Sequence, residues 1–179
     1  MKRIVAWALG LALVFASAAY AGSKKEGKKL SNKETYLKFH KEVCNKHNAD
    51  AIPAFCAPNV KDHNPDPGQK GDLEGIRNSF KANFAAFPDL KISVKQVVEQ
   101  GDYVAARCVI TGTNTGKMGD MPATGKKVKV DMIEIVKFNK DGKAVERWGQ
   151  YDGASMMKQL GLDKCPMPCC AGGTKGKKK

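Results

Sequence analysis

Three side chains of this 179-residue chain pair a titratable group with a setting that could move protons: Glu134, Asp152 and His63. Glu134 stands in Val130, Met132, Glu134, Val136, every second residue of an alternating run, which puts it on the apolar face of a strand. A carboxyl group walled in by apolar side chains resists ionising. Its raised pKa then lets it exchange a proton with a carbon acid or a developing alkoxide near neutral pH. The plainer role for Glu134 is an exposed or salt-bridged strand residue. Asp152 follows an apolar-aromatic stretch and either works in a cavity or caps the helix after it. His63 opens the loop sequence HNPDPGQKG at the expected rim of that cavity, where an imidazole can bind a ligand, shuttle protons, or make only a structural hydrogen bond. Arg107 is a candidate contact for an anion or carbonyl oxygen, with a surface ion pair as the alternative. Met132, Trp148, Phe84 and Phe87 are expected in the core or the cavity wall, where their shape would filter ligands.

Sulfur offers a second chemistry. Cys165, Cys169 and Cys170, with Met156, Met157 and Met167 nearby, are soft donors suited to copper(I), and His40 and His47 could lie on one helical side. The spacing lacks a paired C-x-x-C arrangement, and disulfide formation competes for the same thiols, so no metal site is assigned. The six cysteines allow fifteen complete pairings. Cys44 with Cys56, on consecutive helical segments, is the expected disulfide, and Cys108, within a β-like run, is expected to be a buried free thiol.

The elements that must position these groups can be read from period and punctuation. Ser31 or Asn32 caps a helix with Glu34 in its first turn, and Tyr36, Phe39, His40, Val43 and His47 recur at helical steps as far as Asn48. Asp50 is expected to cap a shorter helix through Phe55 and Cys56, with Pro53 in its first turn. A Pro-, Asp- and Gly-rich loop covers 58–71, and Asp72 or Leu73 opens a third helix with Ile76, Phe80, Phe84 and Phe87 on one face. After Pro88 the period falls to two. Strands are expected over 92–99, 103–111, 127–139 and 144–151, and a short helix over 155–160 ends at Gly161. The result is an α+β domain in which a curved antiparallel sheet wraps over three helices with a cavity between.

Around this body, residues 1–21 read as a signal peptide. Lys2 and Arg3 precede an apolar run from Ile4 to Phe15 that is short for a bilayer span, and Ala19-Tyr20-Ala21 matches a cleavage site. A periplasmic or secreted protein is therefore expected, with no integral membrane segment after cleavage. Residues 22–30 read as a flexible linker, 31–162 as the folded domain, and 163–179 as a Cys- and Lys-rich tail too poor in apolar residues for a core. The formal charge of +13 sits mostly outside the body, which holds 20 basic against 16 acidic residues, so nucleic acid is not an expected partner.

Further stretches carry a resemblance. These are His63-Asn64-Pro65, Gly71 with Glu74-Gly75, Phe87-Pro88-Asp89-Leu90, Gly101-Asp102, Gly112-Thr113 with Thr115-Gly116, Pro122-Ala123-Thr124-Gly125, Asp141-Gly142-Lys143, Trp148 with Asp152, and Gln159-Leu160-Gly161. In order and spacing, from about Asn32 to Gly161, the chain resembles the SnoaL-like polyketide cyclases, or ester cyclases, among the nuclear-transport-factor-2-like cone folds. The resemblance implies a cone-shaped α+β barrel open to a small, largely apolar molecule, often a homodimer. It also implies aldol-type ring closure with no metal or cofactor, driven by an acidic side chain. Counting back from Gln159-Leu160-Gly161, the cyclases' catalytic aspartate falls on Gly149, which cannot transfer a proton, while Asp152 matches a second aspartate. An enzyme using Glu134, Asp152 or His63, an exported ligand-binding protein and an interaction module with a vestigial cavity all remain open.

Overall fold

The computed structural model describes residues 29–163. The expected leader over 1–21, the linker as far as residue 28 and the tail from residue 164, with Cys165, Cys169 and Cys170, lie outside the described residues. Helix α1 (Asn32–Phe39) starts on a reciprocal cap: the Ser31 hydroxyl accepts from the Glu34 amide at 3.1 Å, and the Glu34 carboxylate accepts from the Ser31 amide at 2.8 Å. The helix expected to run to Asn48 changes character after Phe39. From His40 to Cys44 the backbone widens into a π-helical turn, a local irregularity that re-aims side chains and here buries His40, Val43 and Cys44. Ala49–Ala54 is a 3-10 turn with Asn48, not Asp50, at its cap. The Asp50 carboxylate instead pairs with Arg77 at 2.8 Å and Lys81 at 3.2 Å.

The segment expected to end that helix and enter a loop is a strand, β1 (Cys56–Asp62). It pairs in parallel with β5 (Ala144–Tyr151), Lys61 opposite Glu146 and Asp62 opposite Arg147. Pro58 is tolerated because β1 is an edge strand, with one side free of ladder bonds. Helix α2 (Leu73–Ala86) begins on Asp72, whose carboxylate accepts from the Gly75 amide at 2.8 Å. Strands β2 (Lys91–Gln100), β3 (Tyr103–Thr113), β4 (Lys127–Phe138) and β5 then form an antiparallel meander, and the full sheet order is β1-β5-β4-β3-β2. Helix α3 (Gly153–Leu160) follows the sheet and stops at Gly161, whose φ of 72° is left-handed and suits glycine. The α+β architecture is the expected one, with β1 as an added parallel edge. No helix among the described residues is long and apolar enough to cross a membrane.

Alternation decides which side chains face the helices. Along β4, Val128, Val130, Met132, Glu134, Val136 and Phe138 are buried, while Lys129, Asp131, Ile133 and Ile135 point away. The apolar members of the buried set join Tyr36, Phe87, Leu90 and Leu160 in the main core. A second core forms around Val43, Ile52, Phe55 and Ile76. The expected Cys44–Cys56 disulfide is not formed: both are buried free thiols, as is Cys108. Cys56 opens β1 in the second core, while Cys44 packs in the main one.

Candidate functional site

The sheet and the first helix converge on one buried carboxylate. Glu134, 5% exposed, lies opposite Ala106 on β3 and Gly149 on β5, two small residues that leave room for long side chains to reach it. Tyr36 and His40, four residues apart along the first helical segment, both point at it. The Tyr36 hydroxyl donates to Glu134 Oε1 at 2.5 Å, and His40 Nε2 lies 3.1 Å from the same oxygen. From β5, Arg147 Nε donates to Oε2 at 3.0 Å, and Arg147 Nη1 donates to Asp62 Oδ2 at 2.9 Å. Cys108 Sγ is 3.4 Å from the Tyr36 oxygen; since that hydroxyl already donates to Glu134, the thiol is the donor.

Burial alone would raise the Glu134 carboxyl, but the Arg147 charge and the hydrogen bonds from His40 and Tyr36 outweigh it and hold the group well below the usual carboxylate range. This reverses the expectation of a raised, proton-donating acid. Burial would lower Arg147, yet Glu134 and Asp62 keep its guanidinium firmly protonated. Burial also pushes the Tyr36 hydroxyl and the Cys108 thiol up, so both stay neutral. An anionic Glu134 can only accept, which places the imidazole proton on His40 Nε2 and leaves His40 Nδ1 buried without a hydrogen-bond partner. Arg147 is the network's outlet, with 29% side-chain exposure against 8% for Asp62. Its Nη2 covers Gly149, where an added Cβ would come within 2.5 Å of that nitrogen.

The other sequence candidates lie elsewhere. His63 is not at a cavity rim. Its neighbour Asp62 points inward with Arg147, so His63 lies on the outer sheet face, where Nε2 meets Glu146 at 2.9 Å and the ring stacks on Trp148 at 4.5 Å. Trp148 therefore also lines the outer face rather than a cavity. Arg107 points outward as well, donating to Asp131 at 3.0 Å and Gln96 at 3.1 Å. Asp152 caps α3, accepting from the Ser155 amide at 2.9 Å. Met132 and Phe87 are core, and Phe84 stacks on His47, whose Nε2 meets the Leu90 carbonyl at 2.8 Å, well apart from His40 in bonding terms. A surface depression of about 450 Å3 lined by Asp89, Thr113, Lys127 and Gln159 shares no residue with the Glu134 network.

Sequence reasoning located Glu134 but not Tyr36, His40, Cys108, Asp62 or Arg147 as its surroundings. The helical step from Tyr36 to His40 and the strand step from Arg147 to Gly149 carried part of the signal. The rest depends on β1, whose pairing brings Asp62 beside Arg147.

A comparison with curated proteins finds no match. Among solved structures, the chain is similar to IdmH of Streptomyces antibioticus, described as a candidate polyketide cyclase, at 28% identity and a TM-score of 0.64 over 74% of this chain and 99% of that one. It is similar to AclR of Streptomyces galilaeus, described as a candidate hydroxylase, at 25% identity and a TM-score of 0.64 over 73% and 80%. A SnoaL-like protein of Jannaschia sp. CCS1 shares the fold at 22% identity and a TM-score of 0.66, covering 78% of this chain and all of that one. The family model for the SnoaL-like polyketide cyclases matches residues 34–160, which takes in α1 from Glu34, the whole sheet and α3 to its last residue. The chain belongs to the SnoaL-like polyketide cyclase family.

Proposed function

We propose that this protein is exported and that its cone binds a small, largely apolar molecule ending in a carbonyl or carboxylate oxygen, without closing rings by the route the resemblance implies. The observation that carries this reading is Gly149 beneath Arg147: the position of the cyclases' acid has no side chain, and a guanidinium occupies the space above it. The three substitute acids weighed from the sequence are all engaged otherwise. Glu134 is held anionic by Arg147, Asp152 caps a helix, and His63 bonds Glu146 on the outer face. Arg147 supports the binding role. Nε and Nη1 are engaged by Glu134 and Asp62, whereas Nη2 makes no hydrogen bond among the described residues and can donate to a ligand oxygen. The half-buried Phe80, Phe84 and Met156 against the main core offer an apolar wall.

Export rests on the leader sequence, with the mature chain starting at Gly22 in the periplasm or outside the cell. A homodimer through the outer sheet face is part of the same reading. Val98, Ala105, Ile135 and Trp148 form one cross-strand row there, with Val98 66% and Ile135 41% exposed and Ile133 beside them at 60%. Native mass spectrometry of protein from the exported fraction tests all three parts: a chain beginning at Gly22, a bound small molecule, and twice the mature mass are expected. Turnover of a ring-closing ester is assayed beside it. Robust wild-type activity that falls in Glu134→Gln would overturn the binding reading and make Glu134 a proton-transfer group.

A further inference from the structure

We propose that His40, Cys108 and Glu134 form a binding site for one zinc-class divalent cation, with the Tyr36 oxygen at the fourth vertex. A ring nitrogen of His40, Cys108 Sγ and a carboxylate oxygen of Glu134 all lie within 4.8 Å of one another, and all three residues are buried. Zinc–ligand bonds of about 2.0–2.3 Å in a tetrahedron set ligand atoms about 3.3–3.6 Å apart. The distances here fall within or below that spacing: 3.4 Å from the Tyr36 oxygen to Cys108 Sγ, 3.1 Å from His40 Nε2 to Glu134 Oε1, and 2.5 Å from the Tyr36 oxygen to Oε1. Shifts of about an ångström close the set.

The framework around the four is consistent with a metal site. Cys108 and Glu134 stand on the inward faces of adjacent strands, one alternation apart, because β3 and β4 pair Ala106 with Glu134 and Cys108 with Met132. Arg147 grips Oε2, which leaves Oε1 facing the other donors, as an outer-shell partner does for a ligating carboxylate. Charge also fits. Glu134 and Asp62 share the single guanidinium of Arg147, so that trio carries one excess negative charge, and a Cys108 thiolate would add a second. A divalent cation balances both. Imidazole, thiolate and carboxylate together suit zinc better than a hard cation such as magnesium. On binding, the imidazole proton moves from Nε2 to Nδ1, the Cys108 thiol proton leaves to solvent, and the Tyr36 hydroxyl keeps its proton but turns it away from Oε1, while lone pairs of the thiolate, Nε2, Oε1 and the Tyr36 oxygen form the four bonds to the metal.

The test uses the full mature chain with cobalt(II) as the spectroscopic probe and zinc(II) as the competitor. Since Cys165, Cys169 and Cys170 are soft donors too, a variant with all three changed to Ser is measured beside the wild type. One cobalt per chain is expected in both, with the intense visible absorption of a tetrahedral site and a near-ultraviolet thiolate charge-transfer band, both removed by zinc. Cys108→Ser should abolish the charge-transfer band, and His40→Gln should weaken cobalt binding at least about tenfold. Circular dichroism confirms that each variant is folded. Zinc should raise the melting temperature of the wild type and not that of His40→Gln. A charge-transfer band that survives Cys108→Ser, or is lost only with the three tail cysteines, would overturn the proposal, and so would a tail variant that binds no cobalt.

Discussion

Glu134 receives Tyr36 and His40 on one oxygen and Arg147 on the other, so Glu134→Gln disturbs all three partners and leaves the Arg147 charge shared with Asp62 alone. Breaking a buried pair from one side costs about 3–5 kcal/mol; with Arg147 29% exposed, the lower end, about 3 kcal/mol, is expected in urea unfolding. The sign with pH follows from the depressed folded carboxyl. Its stabilisation is fully present above the ordinary value of 4.5 and is lost as pH falls below it, so wild type and variant should converge in acid. Gly149→Asp probes the same spot from β5. The new Cβ would meet Arg147 at 2.5 Å, and since that contact is the end of a flexible side chain, Arg147 turns aside and pairs with the new carboxylate. The introduced carboxyl should therefore titrate low, where an unpaired buried acid would titrate high, a difference that carboxyl-resolved NMR titration reads directly. Glu134's inward aspect was legible in the period-two run. Its low pKa was not, because every group that sets it comes from another element.

The helix starts at Ser31 and Asp72 were the most legible, each a short polar side chain ahead of apolar periodicity, whereas the expected run to Asn48, the cap at Asp50 and the start at Ser155 were not met. Asp152→Ala should lose its bond to the Ser155 amide and cost about 1 kcal/mol, read as a lower denaturation midpoint with ligand binding unchanged. Strand β1 escaped because Cys56–Asp62 has no alternation and contains Pro58, and its partner β5 begins more than eighty residues later. That omission hid the pairing that sets Asp62 beside Arg147 and leaves His63 on the outer face. The thiols give a direct check. Burial pushes Cys56 up to about 11 and Cys44 higher than an ordinary thiol, so iodoacetamide at mildly alkaline pH should label Cys44, Cys56 and Cys108 slowly in native protein and fully in denaturant without reductant. A Cys44–Cys56 disulfide would leave both unlabelled under either condition.

For the molecule as a whole, the outer sheet face is the place to test assembly. Ile135→Glu sets a charge into the middle of the Val98, Ala105, Ile135, Trp148 row and should shift sedimentation from dimer to monomer while leaving the melting temperature of the monomer's own core nearly unchanged. The order of the strands has a further consequence, for the time at which the domain can fold. Asp62 meets Arg147 across 85 residues, and Tyr36 meets Glu134 across 98, so these buried polar groups of the first half of the chain stay unmatched until β4 and β5 exist. Long-range pairing of this kind slows folding. A chain emerging from the ribosome cannot complete these pairs until β5 has been made. A fragment stopping at residue 140 should accordingly show no cooperative thermal transition by circular dichroism, whereas the chain through residue 163 should fold in one step.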